Sequence, residues 1–154
     1  MNTEIFSVFP ACGKTWMCEH QEELDLKILD SDSSQFSWIY ANGMKERNPD
    51  FPNNYIKHLK ENIGKYDYIF VSSHASVRTA LDKEGIAFTI VYPHMCYKAE
   101  WVGRCFIREK NGENGCSAEV MYNNWEQWVS ECVATSYDHD AIVLHAGRHL
   151  SEYI

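Results

Sequence analysis

Close cysteine pairs are missing from this chain. The six cysteines stand at 12, 18, 96, 105, 116 and 132, none in a Cys-x-x-Cys pair and none in a Cys/His cluster of zinc spacing, which excludes a zinc-built fold. Free thiols in a reducing cytosol are expected instead. No apolar run reaches membrane-spanning length, so no membrane partner is expected. Met1-Asn2-Thr3-Glu4 has neither a basic region nor a long apolar stretch, so no signal peptide is expected and the location is read as cytoplasmic. Basic residues are scarce, with 14 Lys and Arg against 22 Asp and Glu and a net charge of -8. That disfavours a protein whose main affinity is for a nucleic-acid backbone or an anionic membrane, but leaves room for a local basic pocket. Internal repeats and low-complexity tracts are absent.

What remains is globular. The 154 residues are 45% hydrophobic and 14% aromatic, which fits one domain, 1–154, with a real core. Residues 3–9 read as a short buried strand and 24–29 as a second. Residues 35–42 read as a short aromatic helix closed by Gly43, and 44–54 as loop. Tyr55, Ile56, Leu59 and Ile63 recur at helical spacing and predict a helix over about 53–63. Residues 66–71 have the continuous apolar run of a central parallel strand, followed by a helix from about 74 to 83 and a strand over 86–91. Helical patterns cover 98–110 and the stretch around Trp125 to Val133, and a last strand covers 141–144. Five strands, the first four each followed by helical segments, predict an α/β fold with a mainly parallel sheet and helices on both faces.

The chemistry concentrates after the first strand. Val8 to Thr15 ends in Gly13-Lys14-Thr15 and runs into Trp16, where a helix can begin. Strand, tight loop and helix is the setting of a phosphate-binding loop. Backbone N–H groups from Ala11, Cys12 and Gly13 to Trp16 would cradle phosphates, Lys14 would reach the β and γ phosphates, and the Thr15 hydroxyl would face Mg²⁺. Cys12, at a helix N-terminus, is expected to have a lowered pKa and to react with thiol reagents unless ATP protects it.

Three polar groups fall beyond the ends of later strands. Asp30 and Asp32 suit a metal contact or a substrate base, or else a polar turn and helix cap. Ser72-Ser73-His74 supplies hydroxyls, with Ser73 a natural N-cap, but no acid. Lys98, Arg104 and Arg108 suggest a helical lid over 98–122 that closes on the nucleotide, or else a solvated basic face paired with Glu100 and Glu109. An acceptor already carrying phosphate would need a second anion site, for which Arg78, Arg47 and Lys57 are candidates. Phe36, Trp38, Tyr40 and Tyr55 are read as core rings or as the floor of a base pocket.

Taken together, Phe9-Pro10-Ala11-Cys12-Gly13-Lys14-Thr15, Leu29-Asp30-Ser31-Asp32-Ser33-Ser34 with Phe36, and Asn54-Tyr55-Ile56 with Tyr66 through His74 resemble the small P-loop nucleoside and nucleotide kinases, in particular short kinase-like proteins of bacteriophages. Tyr92-Pro93 and the Trp101 to Arg108 helix extend the resemblance. It implies a P-loop NTPase fold of the nucleotide-kinase type, ATP and Mg²⁺ as donor pair, an arginine-bearing lid, and a nucleoside or nucleoside monophosphate acceptor in a (host) cytoplasm. Carried over, Asp30 is the ion-side and Asp32 the acceptor-side carboxylate, or the reverse. The adenine would lie near His145-Ala146-Gly147-Arg148. The chain departs from the family pattern at Val8 and Ala11, where glycines are usual. Two alternatives stay open: a P-loop module that binds a nucleotide or a host protein without turnover, and a kinase of modified bases in DNA. A homodimer is compatible with either.

Overall fold

The computed structural model describes residues 2–154. Its main sheet has five strands: β1 (Glu4–Val8), β2 (Ile28–Ser31), β5 (Tyr68–Ser72), β6 (Thr89–Pro93) and β7 (Asp140–Leu144), in the order β2-β5-β1-β6-β7. Every pairing is parallel. Ile5, Phe6, Ser7 and Val8 are all buried, as are Ile69, Phe70 and Val71. These apolar runs belong to the middle of a sheet covered on both faces. The first crossover, β1 to β2, runs along the sheet in the direction opposite to the later ones. Right-handed connections then place α1 (Lys14–Glu19) on one face and α3 (Asn53–Asn62) and α4 (Ala75–Lys83) on the other.

α5 (Lys98–Lys110) and α6 (Ala118–Ser136) form a helical pair. Trp101 and Cys105 of α5 and Met121, Trp125, Val129 and Cys132 of α6 are buried. Phe9, at the end of β1, sits edge-on to Trp125 and Trp128 at centroid distances of 5.8 and 6.2 Å. The hairpin expected as a free lid is therefore part of the core. Its apolar stripe is what closes the molecule over β6.

Two stretches differ from expectation. β2 begins at Ile28, not Leu24, because residues 20–25 are turns and Leu26 N–H bonds back to the Gln21 carbonyl at 2.9 Å. Residues 35–47 are not an aromatic helix and a loop. After the single turn α2 (Ser34–Ser37) they form a two-stranded antiparallel ribbon, β3 (Trp38–Ala41) and β4 (Met44–Arg47). Asn42 and Gly43 make its turn with φ of 53° and 74°. Positive φ at both central residues is the tight hairpin turn that Asn-Gly favours, so Gly43 reverses a ribbon where it was expected to stop a helix.

Candidate functional site

Because all five strands run the same way, their carboxyl ends share one edge, where ligands of parallel sheets bind. The loop after β1 dominates it. Val8 stays extended, in register with Ser72 and Val91. The turn that a glycine usually makes at that position is made later, at Ala11 with φ 62° and Gly13 with φ 98°. The sign of φ alternates through Ala11, Cys12 and Gly13 before α1 begins at Lys14, which is the backbone pattern of an anion nest. Among the described residues, no hydrogen bond uses the backbone N–H of Ala11, Cys12, Gly13, Lys14, Thr15 or Trp16. The carbonyls on the other side of the loop are occupied. Arg104 Nη1 donates to Ala11 O at 2.9 Å, and the Leu150 N–H donates to Cys12 O at 2.9 Å.

Lys14 Nζ lies 3.2 Å from Asp30 Oδ1, so the structure brings the first carboxylate to the loop. Asp32 stands beyond the end of β2, where one oxygen accepts the Ser34 N–H at 2.9 Å. The local turn role expected of an Asp there is present, and the second oxygen remains free for a ligand. Ser72 Oγ is tied to Ser33 Oγ at 2.9 Å. Ser73 is not the cap of α4, which starts one residue later with His74 in the N-cap position. Tyr55 is wholly buried, its hydroxyl donating to Ser31 O at 2.6 Å, with its pKa pushed up to about 12 by burial. It is core, not a pocket floor.

The expected lid arginines do different things. Arg104 is clamped over the Trp101 ring, 3.9 Å from its centroid, and ties three segments together through Ala11 O, Arg148 O at 2.8 Å and Glu100 Oε2 at 3.3 Å. Arg108 binds the hairpin tip instead, donating to Asn114 O at 2.9 Å and facing Glu113 at 3.9 Å. Lys98 pairs with Glu126 at 2.8 Å. Gly147 and Arg148 lie beside the β1–α1 loop, Arg104 joining the Arg148 and Ala11 carbonyls. Gly147 N–H is donated to Glu100 at 2.7 Å, and the Arg148 side chain pairs with Glu152 at 2.9 Å. His149 covers Gly13, where a Cβ would come within 3.2 Å of the His149 Cβ.

Cys12 overturns the expectation of a reactive thiol. It is 1% exposed and faces the Pro10 carbonyl and Trp101, and burial pushes its pKa up to about 12. α1 has only 6 residues, too short for its dipole to offset that desolvation.

Past the end of β5 stand two further residues that the sequence named, His74 at the start of α4 and Arg78 one turn on. Arg78 is 4% exposed, donates through Nη1 to Ser73 O, and leaves a buried Nε without a partner. No ion pair engages it among the described residues, since Asp82, one turn on, is taken by His139 at 2.8 Å. His74 stands beside it. Partial burial and then the Arg78 charge lower the His74 pKa, and the charges of Asp32, Arg47 and Lys14 also act on it. A buried guanidinium without a counter-ion is costly unless an anion arrives. The available sequence signal was its place beside the apolar stripe of Val77 and Leu81. Lys57, the third candidate, lies on α3 by a separate shallow surface depression with Asn53 and Lys60 and does not join.

No protein-family model matches the chain, and no curated protein matches it. Among the described residues, no helix is long and apolar enough to cross a membrane.

Proposed function

We propose that the chain is an ATP-dependent phosphotransferase of the P-loop nucleotide-kinase type, acting on a nucleoside monophosphate or a nucleoside. The observation that carries this is the run of unbonded backbone N–H groups from Ala11 to Trp16, with Lys14 within it. Such a row, with a lysine among its members, is a seat for the β and γ phosphates of a nucleotide. Arg78, His74 and Arg47 supply the second anion site that a phosphorylated acceptor requires, and the free oxygen of Asp32 is the group left to orient an acceptor hydroxyl.

The donor set fits a magnesium ion. Such an ion takes one or two protein oxygens and fills its shell with phosphate and water, so no cluster of three acidic or imidazole groups is needed, and none is found among the described residues. Thr15, exposed at the start of α1, and Asp30 would hold it. When bound, such an ion neutralises charge on the β and γ phosphates. Lys14, which pairs with Asp30, would share that carboxylate with the ion, and Arg104 keeps the loop in shape from behind.

A second reading, a nucleotide-binding module without turnover, has two observations in its favour. Arg104 is committed to backbone carbonyls, and β5 ends in Ser72 and is followed by Ser73, with no acid there to assist. Measuring ATP consumption against a panel of nucleosides, mononucleotides and oligonucleotides separates the two. Turnover with one acceptor is expected, falling about 10²-fold or more in Lys14→Ala. Turnover that survives Lys14→Ala removes the phosphate-loop assignment. ATP binding without turnover on any acceptor leaves the module.

A further inference from the structure

The β3–β4 ribbon has two unlike faces. Its register pairs Trp38 with Arg47, Ile39 with Glu46, Tyr40 with Lys45 and Ala41 with Met44. Alternation then puts Trp38, Tyr40, Lys45 and Arg47 on one face and Ile39, Ala41, Met44 and Glu46 on the other. On the first face Lys45 Nζ lies 4.2 Å and Arg47 Cζ 4.8 Å from the Trp38 ring centroid. Neither cation has an ion-pair partner among the described residues, and Glu46, between them in sequence, points away. Tyr40, nearer the turn, is 77% exposed. Two aromatic rings and two unpaired cations thus share one surface on a chain whose net charge is -8. The ribbon springs from the end of β2, just past Asp32, and the Arg47 charge reaches His74 at the sheet edge.

We propose that single-stranded nucleic acid docks on this aromatic–basic face, so that a hydroxyl at the strand's end reaches the phosphate loop. There its oxygen bonds to the γ-phosphorus of ATP, the bond from that phosphorus to the β-phosphate oxygen breaks, ADP leaves, and the hydroxyl proton passes to Asp32. This deepens the phosphotransferase reading and rests on it for what the strand is held for. Unstacked bases offer flat faces to Trp38 and Tyr40, and stacking of this kind tolerates any base. Lys45 and Arg47 meet the phosphates between them, and Arg47 with His74 and Arg78 continues the cationic track to the site. The overall negative charge keeps binding confined to this one strip. A protein partner would be expected to use the opposite face, where Ile39 and Met44 are exposed, and to avoid lysine at its centre.

The test is fluorescence anisotropy with a labelled, mixed-sequence single-stranded oligonucleotide, the full chain, low salt and no ATP. Binding is expected, with affinity falling about tenfold or more in Tyr40→Ala/Lys45→Ala and the slope of log affinity against log salt shrinking by about 0.7. Both side chains are exposed, so an unchanged thermal melt shows that the variant is folded. ATP binding should be unchanged in that variant, and oligonucleotide binding unchanged in Lys14→Ala. No oligonucleotide binding, equal affinity in Tyr40→Ala/Lys45→Ala, a preference for duplex, or displacement by a polyglutamate of matched charge would each overturn the proposal. Strand binding at the ribbon with no phosphoryl transfer to any acceptor would overturn the phosphotransferase and leave the docking face standing.

Discussion

His74 and Arg78 show how single side chains can report what an edge is built to hold. The His74 pKa lies below its ordinary value near 6.5, with partial burial the larger cause and Arg78 the next. The folded state therefore prefers the neutral ring. Its contribution to stability is fully present above the unfolded value and is lost as pH falls through the lower, folded one. The expected result by NMR is a His74 midpoint under 6.5 in the free protein, raised when inorganic phosphate is added, because an anion between His74 and Arg78 favours the charged ring. A midpoint that phosphate leaves in place would show that Arg78 is a structural cation only. Cys12 makes the complementary point. Sequence position suggested an activated thiol, whereas packing against Trp101 turned it inward, and burial outweighs six residues of helix.

At the scale of elements, most of the scaffold was readable because strand and helix carry different periods. α5 begins and ends where its pattern does, at Lys98 and Lys110, and the central strands announce themselves by unbroken apolar runs. Where reading failed, the local signal served two structures. Phe36 to Tyr40 is as apolar as a helix needs, but the Asn42-Gly43 pair decides for a ribbon, and only the pairing of Trp38 with Arg47 reveals its two faces. The site was legible as a loop and its nearest carboxylate, Asp30. It was not legible as a cluster: His74 and Arg78 lie one turn apart on α4, but Arg47 comes from the ribbon, and only the fold brings its charge to bear on His74. Arg104 illustrates the same limit. Its helical spacing with Arg108 suggested a shared catalytic face, yet one turn separates a loop tie from a hairpin tie. Arg104→Ala should therefore lower stability by about 2 kcal/mol, from the lost bonds to the Ala11 and Arg148 carbonyls, the Glu100 pair and the Trp101 contact, and weaken ATP binding with it. Urea denaturation and calorimetric ATP titration read the two effects. A variant with full stability and a fall in kcat alone would restore Arg104 as a lid residue.

Across the whole molecule, the loop from Pro10 to Thr15 is set by β1 and the C-terminal segment together. β1 delivers the loop from the centre of the sheet, and the C-terminal segment returns across it: Arg148 O is held by Arg104, His149 lies against Gly13, and a final short turn, Leu150–Glu152, begins with the bond to Cys12 O. Leu150 is wholly buried, so this turn is anchored in the same core that Phe9 and Trp101 fill. Fixing the carbonyls of Ala11 and Cys12 from behind fixes the direction of the N–H groups in front, since each peptide is a rigid plane. The shape of the loop thus depends on a residue well outside it. Leu150→Ala should cost about 2–5 kcal/mol through the cavity it leaves, and ATP affinity should fall as the turn loosens. Leu150→Met, which keeps most of the volume, should cost less than about 1.5 kcal/mol and retain ATP binding. Denaturant titration and calorimetry on both variants test this. Should Leu150→Ala lose stability and keep its ATP affinity, the loop holds its own shape and the C-terminal segment is only a cover.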